Sequence, residues 1–220
     1  MHDSAIPAQH DLRHHFADLE QQRASATLGM WVFLVTEIMF FGGLFAGYVV
    51  YRTTHYDAWL IGSEHMEFWI GTINTVILLC SSLLVALAVH ASQVGRGRTC
   101  AVYLWIASVM GVAFLVLKGF EYHAHFVEGA VPGAFWKLAV PDPRSVQMFF
   151  YIYFVMTGLH AIHVTIGVVL LAVIGWFAFK GRYSPAYHNP VHVSGLYWHF
   201  VDVVWIFLYP LLYLIGHKKA

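Results

Sequence analysis

The chain has 220 residues, of which 59% are hydrophobic and only 11% charged, with 12 basic side chains against 12 acidic ones; its mean hydropathy is +0.63. Soluble domains carry about 25% charged residues, so this chain lacks the polar surface to cover itself in water and has no room for a sizeable soluble domain beside one helical bundle. The balanced charge, with no basic block or stripe, argues against nucleic acid as a partner.

In chain order, residues 1–27 read as a polar tail with His2, His10, His14 and His15, a solvated segment with weak adventitious metal affinity at most. It has neither the basic region nor the apolar core of a signal peptide, so insertion is expected to begin with the first helix. The membrane domain then covers 28–216 and a short tail 217–220. Five apolar segments are each long enough to cross a hydrocarbon layer of roughly 30 Å as a helix. The expected class is an all-α, polytopic five-transmembrane-helix bundle.

The first span is expected from about Leu28 to Tyr51, with Ser25, Ala26 and Thr27 offering cap positions and Arg52 marking the exit. The second runs from about Phe68 to His90, with GRGR at 95–98 as the turn. The third covers about Cys100 to Phe120, and the following KGFEYHAH stretch either ends it or continues it into the interface. The fourth, from about Val146 to Phe179, would measure about 50 Å and must tilt or protrude. The fifth runs from about Gly195 to Ile215, with Pro210 expected to kink or end it. Cys80 and Cys100 have neither the spacing nor the company of a redox or zinc motif and read as packing residues.

Glu37 lies deep in the first span, where a carboxylate is expensive unless paired, hydrated or protonated. A structural buried acid, a proton or gating role, and a subunit or lipid contact all remain open for it. Gly43 and Gly47 form a small-xxx-small pair suited to close helix approach. Asn74 and Ser81, seven apart, form a polar seam with Ser82 beside them. His160 and His163, and likewise His199 and Asp202, are three apart on their helices. Across two helices they form either paired interhelical contacts, Asp202 fixing a His199 tautomer, or the makings of a metal site. With the amino terminus inside, Arg13, Arg23, Arg96, Arg98, Lys180 and Arg182 face Arg52, Lys137, Arg144, Lys218 and Lys219, which is no real positive-inside bias.

Five stretches in order carry a resemblance: WVFLVTEIMFFGGLFAGY (31–48), NTVILLCSSL (74–83), LKGFEY (117–122), TGLHAIHVTIG (157–167) and GLYWHFVDVVWIFLYPLLYL (195–214). Together the chain resembles subunit III of haem–copper terminal oxidases, in the five-helix form that lacks the first two helices of the longer one. The resemblance implies an accessory subunit with no cofactor or metal of its own and no catalytic residue. Haem and copper would reside in partner subunits, and bound phospholipid is compatible with it. It implies catalytic subunit I as partner, subunit II and others beside it, and a bacterial cytoplasmic membrane with the amino terminus inside. It equates Glu37 with a carbodiimide-reactive, proton-linked carboxylate. Glu121, His160, His163, His199 and Asp202 match family motif positions as structural or modulatory residues. A subunit III-like protein of a nitric oxide reductase is the runner-up; an autonomous proton or solute carrier is a third reading.

Overall fold

A computed structural model describes residues 16–185 and 187–215. It contains α1 (Leu19–Thr54), α2 (Tyr56–Glu64), α3 (Phe68–Gln93), α4 (Gly97–Glu128), α5 (Pro143–Phe179) and α6 (Asn189–Tyr213). No strand occurs among the described residues, only an isolated bridge between Ser184 and Tyr187. The five long helices are each apolar enough to cross a membrane, as the sequence predicts.

The ends differ from expectation for local reasons. α1 starts nine residues early: Asp18, not Ser25–Thr27, is the cap, its Oδ1 accepting from the Gln21 N–H at 2.7 Å. Leu19, Glu20, Gln21, Gln22 and Arg23 are good helix formers, so the helix runs on through the polar RASAT stretch. α4 takes the longer of its two expected courses, through KGFEYHAH to Glu128. It stops where Gly129 adopts a left-handed φ of 73° and the Ala130 N–H reaches back to the His125 carbonyl at 2.9 Å, a glycine-dependent closure. α5 starts at Pro143, capped by the Asp142 carboxylate. α6 begins six residues before Gly195 and continues three residues past Pro210. A proline that close to the end removes one N–H from the ladder. Two of the last carbonyls are occupied by side chains instead: Leu211 accepts from the Tyr48 hydroxyl and Leu212 from Ser63 Oγ at 3.0 Å.

α2 is the element the sequence reading missed. It buries Ala58, Trp59, Gly62 and Ser63 across one end of the bundle, and a Cβ at Gly62 would collide with the Phe149 ring on α5.

α3, α4 and α5 pack in series, and α6 closes the ring between α3 and α5. Trp198 on α6 joins all three. A methyl group on Gly111 of α4 would lie 2.7 Å from its indole, as would one on Gly167 of α5, and its Nε1 donates to Ser81 Oγ on α3 at 3.0 Å. Helix association in lipid rests on such close packing and polar contacts rather than on expulsion of water. α1 lies outside this ring, chiefly against α6, and buries only Leu34, Phe41 and Tyr48. Gly43 and Gly47 therefore do not serve as a close contact between helices of this chain. Nothing lies within 4 Å of a Cβ at either, and both line an open groove of about 200 Å³ between α1 and α5.

Candidate functional site

Two polar assemblies lie in the apolar interior. In the first, His163 on α5 meets Glu37 on α1, with Nε2 and Oε2 3.1 Å apart and side-chain exposures of 14% and 18%. The Phe41 ring stands edge-on to the imidazole. The proton count follows from the second ring nitrogen. Nδ1 lies 2.8 Å from the Leu159 carbonyl, which can only accept, so Nδ1 carries a hydrogen. One further proton lies between Nε2 and Oε2, giving either a neutral acid with a neutral ring or a carboxylate with an imidazolium. Both forms carry zero net charge, which makes the pair tolerable at this depth.

In the second, Glu121 Oε1 on α4 accepts from Lys118 Nζ at 3.1 Å and from the hydroxyls of Tyr153 on α5 and Tyr213 on α6, each at 2.5 Å. Lys118 also donates to both tyrosine oxygens, at 3.1 and 2.7 Å. Each tyrosine thus accepts from the cation and donates to the anion, so the direction of all five bonds is fixed. Aromatic rings enclose the ammonium: Tyr122, Tyr153, Trp205 and Tyr213 have centroids 5.0–5.4 Å away. Beside them the Tyr122 hydroxyl and Thr157 Oγ1 lie 2.5 Å apart.

The remaining polar positions separate. His160 stacks on Trp205 at 5.2 Å and meets the Phe114 edge, and neither of its nitrogens has a hydrogen-bond partner. His199 Nδ1 bonds Ser82 Oγ on α3 at 2.6 Å. Asp202 therefore does not set the His199 tautomer. Both its carboxyl oxygens are buried without a hydrogen bond, with the Ser82 side chain nearby. Asn74 is buried and its amide makes no hydrogen bond, so the expected seam is carried by Ser81, which donates to the Leu78 carbonyl and accepts from Trp198. The two His/Asp pairs do not converge; among the described residues no three His, Cys, Asp or Glu side chains are placed to hold a metal ion.

Sequence reasoning named Glu121 but missed Lys118, Tyr153, Tyr213 and His125 as its company. Half the signal was readable: positions 118, 121, 122 and 125 share one helical face once the helix is known to continue. The tyrosines come from two other helices with no mark in the local pattern.

A family model described as "Cytochrome c oxidase subunit III" matches residues 13–217. Cytochrome c oxidase subunit 3 of Thermostichus vulcanus is 34% identical over 189 residues, which is 86% of either chain. Its counterpart in Corynebacterium diphtheriae is 33% identical over 86% of this chain and 87% of its own. Quinol oxidase subunit 3 of Bacillus subtilis is 33% identical over 86% of both. The family match takes in α1 to α6 and both polar assemblies, and the chain belongs to the cytochrome c oxidase subunit III family.

Proposed function

We propose that this multi-pass membrane protein is the accessory subunit III of a haem–copper terminal oxidase, stabilising the catalytic core and sustaining its turnover. The observation that carries this reading is the family match along residues 13–217. The named relatives are subunits of cytochrome c oxidases and quinol oxidases, which favours an oxygen-reducing complex over the nitric oxide reductase alternative. Cytochrome c and quinol remain equal as electron donors.

In this reading haem and copper belong to the partner subunits, and this chain contributes structure. Catalytic subunit I is the natural neighbour, with subunit II in the same complex. The outer faces of the helices supply the contact: α1 leaves Trp31, Val35, Ile38 and Met39 uncovered within its apolar stretch. The bacterial cytoplasmic membrane with the amino terminus inside completes the assignment. Between α1 and α6 an apolar groove of about 410 Å³, lined by Phe41, Phe45, Phe200 and Phe207 among others, has the chemistry to hold a phospholipid acyl chain.

The test is purification of the tagged chain from its own membrane in mild detergent, with subunit identification and haem spectra. Copurification of an oxygen-reducing haem–copper core, with no haem on the chain once separated, is the expected result. A nitric oxide reductase core, or haem bound to the separated chain, would overturn it.

A further inference from the structure

The Lys118 assembly continues beyond its ion pair. Glu121 Oε1 is saturated by three donors, whereas Oε2 is buried and accepts none. One turn further along α4, His125 is almost wholly buried and both its ring nitrogens lack a hydrogen bond. Its Nε2 lies 4.0 Å from Glu121 Oε1 and its Nδ1 lies 3.7 Å from Glu128 Oε2. Glu128 is half exposed, at 49%, on the end of the bundle that carries α2. Both gaps are too long for direct hydrogen bonds, and each is closed by a small side-chain rotation or one water. A purely structural ion pair calls for neither the orphaned oxygen nor the orphaned imidazole, and such groups cost free energy when buried.

We propose that Glu121 and His125 form a proton-binding site, loaded from the α2 end through Glu128, with Lys118 as its fixed cation. A proton from water or from Glu128 adds to His125 Nδ1 and makes an imidazolium. The imidazolium releases its Nε2 proton to Glu121, whose carboxylate becomes a carboxylic acid protonated on Oε2. His125 returns to a neutral ring. One proton leaves the aqueous side, and the assembly changes from net zero to net +1.

The aromatic enclosure makes this charge state accessible. The Tyr122 and Trp205 rings and two phenol oxygens hold the ammonium independently of the carboxylate. The other ionisable groups facing the site are Tyr122 on α4, Tyr153 on α5 and Tyr213 on α6, all neutral phenols engaged in hydrogen bonds. His65 meets the Phe150 ring that His125 also meets, and His160 the Trp205 ring that Lys118 also meets. This inference does not depend on the oxidase reading.

Infrared difference spectroscopy tests it on the intact native complex in vesicles, with pH changed on one side at a time and with H₂O exchanged for D₂O throughout. A carboxylic-acid band is expected to grow as pH falls on the α2 side, to shift in D₂O, and to vanish in Glu121→Gln. His125→Gln should keep the band and slow its isotope exchange by about a hundredfold, the scale of a lost positioned proton donor. Glu128→Gln, at the exposed rim, reads the same slowing without touching the buried core. Absence of any such band in the unmodified complex, exchange untouched by both His125→Gln and Glu128→Gln, or a response only to the opposite side overturns the proposal.

Discussion

A single proton shared between Glu37 and His163 decides how that carboxyl behaves toward reagents. Carbodiimides attack the protonated acid, and the ring competes with the acid for the one proton between them. His163→Phe removes the ring that competes for that proton. Labelling of Glu37 by an apolar carbodiimide is expected to increase in His163→Phe and to disappear in Glu37→Gln, read by mass spectrometry of the α1 peptide. Equal labelling with and without the imidazole would refute the shared-proton geometry. Depth alone flags Glu37 in the sequence, and His163 is visible as a polar residue in a span. Their pairing, 126 positions apart, is a product of how α1 lies on α5, and nothing in either local pattern encodes it.

At the scale of elements, hydrophobic runs set how many helices cross, and side-chain chemistry at the ends sets how far each extends. The five apolar runs are legible because nothing else satisfies the backbone in hydrocarbon. The extensions are less so, since helix formers and caps act outside the apolar window: Asp18 moved the start of α1 by nine residues, and Gly129 decided which of two expected ends α4 takes. α2 escaped notice because nine residues are too short for a span and its burial depends on Phe149. Gly43 and Gly47 form a close-packing motif that no other helix of this chain fills.

The cap of α5 carries its own pH dependence. Hydrogen bonding with Ser145 holds the Asp142 carboxyl below the usual carboxylate range. A depressed folded-state value means that the cap's contribution is present above the unfolded carboxylate pKa and is lost as pH falls through the folded one. Asp142→Ala is therefore expected to lower the thermal midpoint at neutral pH, the difference from the unmodified protein closing at pH values below the folded pKa. A constant difference across that range would refute it.

Over the whole molecule, the ring α3–α4–α5–α6 is rigidly specified and α1 is an outrider on α6. Trp198 concentrates the specification, because one indole fills the space left by Gly111 and Gly167 while hydrogen-bonding Ser81. A Cβ at Gly167 would sit 2.7 Å from two of its ring carbons. Gly167→Ala should therefore destabilise the bundle by about 1–3 kcal/mol, as overpacking does, measured by equilibrium denaturation in detergent. An unchanged midpoint would show that the indole has room to move. The Trp198–Gly pairing was not legible in advance, since a lone glycine in a span announces no partner. Gly167 and Trp198 fall in two separate stretches of the family resemblance, 157–167 and 195–214, which marked them without giving the reason.

The position of that indole in chain order has a consequence for biosynthesis. α3, α4 and α5 leave the ribosome before the side chain that fits between them, so the three can be inserted early but the space at Gly111 and Gly167 stays unfilled until α6 has followed. Closure of the ring is in that sense a late event in the life of the nascent chain, and a chain arrested before residue 198 would present its glycine faces and the Ser81 hydroxyl to lipid or to the membrane's quality-control proteases.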